Sequence, residues 1–293
     1  MTRIKRLHWG DWLILAGIAG VCVFLVLRVQ GTLEYKWRWG DIPRYILAYD
    51  ASTHAWFANM LLQGLLMTLR ISIFASVLAL ILGIVLGLGR TARSLAVRLL
   101  ARTYLELLRN VPPVVIIFIF YFFLSAPLID ALRIDFWARA IARSDHAAVW
   151  TFFFGDMRRF SQLVSGTIVL ALFESAFVGE IVRAGIESVG RGQREAANSI
   201  GMTHFQSMRF IILPQAMRKI MPPMANQFIM LIKDSSIVSL ISVQELTFKT
   251  LELVSSTRMI FEGWLTAAAF YFVISFSFSR YFARKERKFR LSP

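Results

Sequence analysis

The sequence is poor in the residues on which redox and metal chemistry depend. Cysteine occurs once, at Cys22 within an apolar run, so no internal disulfide is possible and we expect an inert thiol there. The histidines have no metal-ligand spacing and no HExxH motif occurs; they are His8, His54, His146 and His204. We therefore predict no metal site, no bound cofactor and no catalytic residue.

The chain also lacks a phosphate-binding loop and has few acidic residues. No GxxxxGK[ST] motif is present, so any ATP used with this protein must be hydrolysed by another chain. Asp and Glu number 18 against 33 Lys and Arg, which gives a formal net charge of +15. The basic residues fall between apolar segments rather than on one face, so we predict no nucleic-acid partner.

The chain is rich in apolar residues. Apolar residues make up 57% of it, aromatic residues 14%, and the mean hydropathy is +0.59. These values predict an all-α integral membrane protein in a lipid bilayer. Six transmembrane helices are expected, at about 12–27, 57–89, 104–124, 163–182, 221–243 and 263–279. The second contains the GxxxG pair Gly83 and Gly87, which predicts close helix packing.

The first apolar segment follows three basic residues, in the layout of a signal peptide. Val29-Gln30-Gly31-Thr32 is a poor cleavage site, so we predict a retained span with an extracytoplasmic linker in residues 1–55. Residues 56–290 form the second predicted domain. The N-terminus, the loop at 90–102, residues 190–220 and the tail carry about 19 Lys and Arg, against about 10 in the outer segments. This bias predicts cytoplasmic N and C termini.

Two of the six segments are interrupted where a span should be apolar. The purely apolar part of the third, residues 111–124, is too short to cross about 30 Å of hydrocarbon, so we expect this span to include Glu106, Arg109 and Pro112-Pro113. The fifth is interrupted by a polar run: Lys233, Asp234, Ser235 and Ser236. Transporters bind solutes at such breaks, although the proline pair also fits a plain helix boundary.

A polar insert at residues 125–162 separates the third and fourth segments. Five of its apolar residues fall near one helical face: Leu128, Leu132, Phe136, Trp137 and Ile141. This spacing predicts one amphipathic helix lying on the membrane surface.

Charged residues inside the spans are costly unless they are paired or face a cavity. Glu180 is followed at helical spacing by Arg183 and Glu187, which predicts an ion pair on the helix surface. Arg109 can pair in the same way with Glu106.

Glu174, near the middle of the fourth span, has no such helical partner. It is either paired with a cation from another span or lines a transport pathway. Lys233 can pair with a carboxylate of a neighbouring span.

Residues 190–220 form the longest stretch that neither spans a bilayer nor is a simple turn. A first helix is predicted at 193–200, with Gly201 at the position of a C-terminal helix glycine. A capping box predicts a second short helix at about 203–210. The Ala196-Ala197 pair keeps one face flat, so another protein can approach closely.

The same stretch resembles the EAA motif of bacterial ABC-importer permeases. Glu195-Ala196-Ala197, three residues, Gly201, nine residues and Ile211-x-Leu213-Pro214 fill every position of that motif. The likeness covers roughly residues 60–285 and resembles the polar amino acid uptake branch. It includes TLRIS from Thr68, YLELLRNVPP from Tyr104, GEIVRAGIESVGRGQREAA from Gly179, LPQAMRKIMPPMANQFIMLIKDSS from Leu213 and VQELTF from Val243.

The resemblance implies a non-catalytic permease subunit in a bacterial inner membrane. Its fold would be the five-helix core of a type I importer, preceded here by one extra span. The implied partners are two ATPase subunits that use ATP and Mg, a second permease subunit, identical or a similar paralogue, and an extracytoplasmic solute-binding protein. The substrate would be a polar amino acid.

Two sets of site residues follow. By resemblance, eight residues would couple the chain to the ATPase: Gly192, Gln193, Glu195, Ala196, Ala197, Gly201, Leu213 and Pro214. Eight residues at or near the broken spans and buried charges are candidates for the substrate pathway: Arg109, Pro112, Glu174, Ser175, Phe177, Lys233, Asp234 and Ser235.

The chain departs from the family pattern where substrate choice is concerned. Asn110-Val111-Pro112 stands where relatives often have Gly-Thr-Pro, Glu174 where a small or hydroxyl residue is common, and Phe177 where tyrosine is frequent. A carboxylate at position 174 could bind an α-ammonium group or a basic side chain. Two other functions stay open: an ion-coupled transporter or channel that uses Glu174 as a relay, and a membrane anchor for a soluble ATPase.

Overall fold

The computed structural model describes residues 9–32, 35–52 and 54–290, and helices dominate these ranges. Within these ranges there are fourteen α-helices: α1 Trp9–Thr32, α2 Ile42–Ile46, α3 Met60–Arg90, α4 Leu95–Asn110, α5 Pro113–Phe120, α6 Ala126–Ala131, α7 Ile134–Ala142, α8 Ala147–Phe154, α9 Phe160–Glu187, α10 Arg191–Ser199, α11 His204–Ser207, α12 Leu213–Asp234, α13 Leu246–Thr257 and α14 Ile260–Arg290. The strands β1 Leu47–Asp50 and β2 Ala55–Ala58 form an antiparallel hairpin. The N-terminal basic residues, His8 and the side chain of Cys22 lie outside the described part, so the predictions on them stay predictions.

The chain divides into two units, residues 1–40 and 41–293. The first contains α1, whose exposed side chains are largely apolar, among them Trp12, Ile14 and Phe24. The second contains all the remaining helices and the hairpin.

Four of the described helical segments are long and apolar enough to cross a membrane: Met60–Arg90, Pro113–Ala131, Met157–Glu187 and Ile260–Lys285. They correspond to the second, third, fourth and sixth predicted spans. The fifth predicted span contains most of α12, which is helical but carries several charges and the Pro222-Pro223 pair.

The third span differs from the prediction. The helix does not stop near Leu124, because a π turn at Tyr121–Ser125 connects α5 to α6. The segment Pro113–Ala131 therefore has 19 residues, which is enough to cross without polar additions. The expectation that this span includes Glu106 and Arg109 is wrong.

The insert also differs from the prediction of one amphipathic helix. Arg133 has a left-handed backbone with φ of 51°, which ends α6 and starts α7 in a new direction. The predicted apolar stripe is thus divided between two helices. Leu132, Phe136 and Trp137 are nevertheless exposed, so the location on a membrane surface stays a prediction.

The core forms where α3 packs along α9. The Gly83 and Gly87 pair lies at this contact, and a Cβ on Gly87 would lie 2.6 Å from Cβ of Val182. Gly83 meets Val178 in the same way. The predicted close packing is confirmed, because no larger residue fits between the two backbones.

A buried carboxylate ties α3, α13 and α14 together. Glu245 accepts hydrogen bonds from Thr68 Oγ1 at 3.3 Å, Tyr271 Oη at 2.8 Å and the Phe248 backbone N–H at 2.9 Å. The last of these caps the first turn of α13. Burial raises the pKa of the Glu245 carboxyl above its ordinary value, although these hydrogen bonds act in the opposite direction.

Candidate functional site

The stretch at 190–220 folds at its start as the sequence predicts. α10 runs from Arg191 to Ser199, and Gly201 follows with φ of 75°, a conformation that side chains with a Cβ rarely adopt. The N–H of Met202 donates to the carbonyl of Ala197 at 3.1 Å, which closes the helix end. The glycine in this motif therefore performs a local backbone task.

The second helix begins as predicted but does not end near Phe210. The capping box of Thr203 and Gln206 is present. From there α11 continues through a π turn at Met208–Ile212 directly into α12. Pro214 does not interrupt the helix, because it lies in the first turn of α12, where the backbone N–H that proline lacks would have no helical partner. The loop therefore consists of one short helix followed by the start of a long one.

The two alanines of the motif differ in exposure. Ala197 is buried against its own chain, whereas Ala196 and Glu195 are exposed. The expectation that both alanines form one accessible flat face is therefore wrong. The surface open to a partner includes Gly192, Glu195 and Ala196, which are exposed and lie on one face of α10, because positions i, i+3 and i+4 of a helix are neighbours.

Three hydrogen bonds connect α10 and the start of α12 to each other and to the end of α9. Arg194 donates to the carbonyl of Ile186 at 3.1 Å. Gln193 accepts from Gln215 of α12 at 3.2 Å. Lys219 of α12 donates to the carbonyl of Ser188 at 2.6 Å. Of the other coupling candidates, Leu213 is half-buried and Pro214 is exposed.

Charged side chains join α4 to α9. Arg183 binds Glu180 at 2.6 Å and also pairs with Glu187, as predicted. Arg109 lies 3.5 Å from Glu180. The expected pairing of Arg109 with Glu106 is wrong, because Glu106 binds Arg102 one helical turn before it, at 2.6 Å.

Both predicted breaks are present. α4 ends at Asn110, Val111 is extended, and Pro113 starts α5, while Pro112 is exposed between them. α12 ends at Asp234 and continues as a 3-10 helix, Ser235–Ile241. The Lys233 residue is exposed.

Glu174 lies at the centre of α9 and is completely buried. Its Oε2 accepts a hydrogen bond from Nε2 of Gln227 on α12 at 2.6 Å. Its Oε1 has no hydrogen-bond donor within the part of the chain that the structure describes. The neighbouring carboxyl group is that of Asp234, at the end of α12. The proposed cationic partner for Glu174 is not found among the described residues.

Three other pathway candidates have contacts of their own. Ser175 is buried and shares a hydrogen bond of 3.1 Å with Tyr104 of α4. Phe177 packs against Phe173 with ring centroids 5.3 Å apart. Ser235 is buried and donates to the carbonyl of Ile232 at 2.7 Å.

A cavity of about 1110 Å³ lies between α3, α9, α12 and α14. Its wall includes Ser76, Val178, Gln227 and Phe282. Sequence reasoning missed Gln227, although a glutamine inside the fifth apolar segment is itself a signal of a polar contact. The structure thus places Glu174 beside Asp234. Gln227, which lines the cavity, also contacts Glu174.

Comparison with known proteins adds to this geometry. Residues 54–291 match the family model described as "Binding-protein-dependent transport system inner membrane component". The chain is 36% identical over 180 residues to "Probable glutamine ABC transporter permease protein GlnM" of Bacillus subtilis (strain 168), covering 61% of this chain and 70% of the relative. It is 33% identical over 221 residues to "Glutamate/aspartate import permease protein GltK" of Escherichia coli O6:H1, covering 75% and 88%.

The solved structures agree in fold. "Crystal structure of an amino acid ABC transporter with histidines" includes a chain that superposes with a TM-score of 0.64 at 28% identity. The superposition covers 87% of this chain and 100% of that one. The family match extends over most of the sequence and over every residue of the candidate site. The chain therefore belongs to the family of binding-protein-dependent transport system inner membrane components, and it is a multi-pass protein of the inner membrane.

Proposed function

We propose that the chain is the permease subunit of an ATP-driven ABC importer for polar amino acids. The observation that carries this proposal is the EAA motif on α10, exposed at Glu195 and bonded to two long helices. The relatives named as glutamine and glutamate/aspartate permeases support the substrate class.

The proposed assembly contains two such permease subunits, identical or similar, and two ATPase subunits that bind ATP and Mg. α10 and the adjoining α12 start would dock on the ATPase through the eight coupling residues. An extracytoplasmic binding protein would deliver the amino acid. This chain would be non-catalytic.

The proposed topology has six spans with both termini in the cytoplasm. The four strongly apolar helices supply four of them. The N-terminal helix α1 and the more polar α12 supply the other two, since α12 can bury its polar side chains against other helices. This arrangement puts α10 on the cytoplasmic side.

The contacts of α10 suggest how ATPase movement reaches the membrane. Arg194 joins α10 to the end of α9, and Gln193 joins it to α12. Glu174 lies on α9 and Asp234 on α12. A displacement of α10 therefore moves both helices that carry these carboxyl groups, which is what alternating access requires.

The test is uptake of labelled amino acids into vesicles that contain the permease, its ATPase and its binding protein. We expect Glu195→Lys to abolish ATP-dependent uptake and to reduce co-purification of the ATPase, because it reverses a charge on the docking surface. Glu106→Lys is the matched control, since Glu106 is also exposed but lies on α4.

Normal uptake by the Glu195→Lys variant would disprove the coupling role. Uptake that needs no ATPase and collapses with an ionophore would favour the ion-coupled alternative. Retained ATPase binding with no uptake of any amino acid would favour the membrane anchor.

A further inference from the structure

The cavity of about 1110 Å³ combines three basic residues with largely apolar walls. Arg218 and Lys219 lie in the second turn of α12, and Lys285 lies in the last two turns of α14. In the proposed topology α12 starts and α14 ends at the cytoplasm. The three cations therefore belong to the cytoplasmic side of the cavity, where a membrane protein carries its excess of positive charge.

No carboxylate among the described residues neutralises these three cations, because the ion pairs found there join other residues. Lys219 donates to the carbonyl of Ser188 at 2.6 Å, and Nζ of Lys285 lies 5.7 Å from the ring centroid of Tyr281. Neither contact supplies a negative charge. A ligand with an anionic group is therefore favoured at this side of the cavity.

The rest of the wall suits a hydrocarbon chain. From Lys219 the α12 wall continues to Leu231, twelve residues further and about 18 Å along the helix. This length is similar to half of the hydrocarbon thickness of a bilayer, which is about 30 Å. Most of the wall is apolar and includes Leu80, Met221, Met224, Phe228 and Phe282.

Aromatic contacts hold α12 against α14 beside the cavity. The ring of Phe228 packs on the rings of Phe278 and Phe282, with centroids 5.1 and 5.9 Å apart. Phe228 and Phe282 also line the cavity. This part of the apolar wall is therefore formed without a ligand, as is usual for binding sites.

We infer that the cavity binds an anionic phospholipid of the cytoplasmic leaflet. The phosphate lies among Arg218, Lys219 and Lys285, and an acyl chain follows α12 between α3 and α14. Arg and Lys form charge-assisted hydrogen bonds with phosphate oxygens, and basic pockets between membrane helices on the cytoplasmic side recognise lipid headgroups in this way. The inference goes beyond the proposed importer function and uses only its topology.

Other occupants fit less well. The cavity exceeds the range of about 300–1,000 Å³ that is usual for small-molecule sites, and a free amino acid would leave most of the apolar wall uncovered. A second copy of this chain carries 33 Lys and Arg against 18 Asp and Glu, so it has few carboxylates to offer to three cations. A phospholipid supplies both the negative charge and the apolar part.

The experiment measures lipid binding to the assembled permease and ATPase complex, purified in detergent and stripped of lipid. The complex is titrated with phosphatidylglycerol, with phosphatidylcholine and with glycerol phosphate, which is anionic but has no acyl chain. Native mass spectrometry counts the bound molecules. We expect phosphatidylglycerol to bind at least about tenfold more tightly than the other two, because only this ligand combines a net negative charge with acyl chains.

Lys285→Gln and Arg218→Gln should each weaken phosphatidylglycerol binding about fivefold, and the double variant about 25-fold, because each removes one cation from the headgroup site. Arg284→Gln is the matched control. Arg284 is exposed on α14 next to Lys285 but does not line the cavity, so this variant should bind phosphatidylglycerol as wild type does.

Equal binding of phosphatidylglycerol and phosphatidylcholine would overturn the inference, as would glycerol phosphate that binds as tightly as the phospholipid. The same loss in Arg284→Gln as in Lys285→Gln would also contradict it. Loss of a second permease subunit from the Lys285→Gln complex would identify the cavity as an interface between copies, and displacement of the lipid by glutamine would identify it as a substrate path. None of these measurements requires transport, so their outcome is independent of the uptake test of the importer function.

Discussion

Arg109 and Glu180 lie 3.5 Å apart and connect α4, just before the Pro112 break, with the half of α9 that leads to α10. Glu180 also binds Arg183, so the carboxylate is shared between its own helix and the neighbouring one. Burial of these side chains is partial, and a pair of this kind contributes only about 0–1 kcal/mol to stability. The pair therefore connects α4 to α9 without adding much to the stability of the fold.

We expect this pair to affect transport more than stability. Arg109→Gln should lower ATP-dependent uptake several-fold while the melting temperature stays nearly unchanged, because the helix connection is lost but little burial is. Glu180→Gln should act similarly, and the double variant should be no worse than either single one.

The measurement is a double-mutant cycle on uptake rates, with Arg102→Gln as control, since the ion pair of Arg102 is with Glu106 on its own helix. Additive losses in the double variant would show that the two residues act independently.

Close packing at Gly87 gives a second prediction. Gly87→Val places side-chain atoms on Val182, where even a Cβ would lie 2.6 Å from a neighbour. Overpacking of this kind costs about 1–3 kcal/mol or prevents folding. We expect less folded protein in the membrane and a lower melting temperature in detergent.

Gly190→Val is the matched control, because within the described residues no contact atom lies within 4 Å of a Cβ at Gly190. Equal melting temperatures of the two variants would contradict the packing at α3 and α9.

Apart from the close packing at Gly83 and Gly87, the features that sequence reasoning predicted correctly are local. The glycine end of α10, the capping box and the two helix breaks depend on residues within one turn, where backbone chemistry decides. The contact between Glu174 and Gln227 joins positions 53 residues apart, and no local pattern encodes it. The predicted partner of Arg109 is wrong for the same reason. Helical spacing indicates Glu106, whereas the observed partner, Glu180, lies on another helix.

The positive φ of Gly201 gives a third prediction. A β-branched residue is strained there, whereas asparagine tolerates this left-handed conformation. Gly201→Val should therefore displace the segment between α10 and α11 and weaken co-purification of the ATPase. Gly201→Asn should retain it. Pull-down of the ATPase with both variants, at equal membrane levels, is the measurement, and equal loss in both would exclude the backbone explanation.

The last prediction concerns pH and the buried Glu245. Its pKa in the folded protein is raised above the ordinary value of 4.5 by burial. The folded state then binds this proton more tightly than the unfolded state does, so Glu245 lowers stability as the pH rises from about 4.5 through the raised pKa. The contribution of this group is thus most favourable at acidic pH.

Glu245→Gln cannot titrate, so its stability should lack this part of the pH dependence. The melting temperatures of wild type and variant in detergent, compared from about pH 5 to about pH 8, measure the difference. We expect wild type to lose more stability than the variant over this range, because other carboxyl groups contribute equally to both. Glu106→Gln, at an exposed carboxylate, should follow wild type. If the difference in melting temperature between wild type and Glu245→Gln stayed constant with pH, folding would not raise the pKa of Glu245.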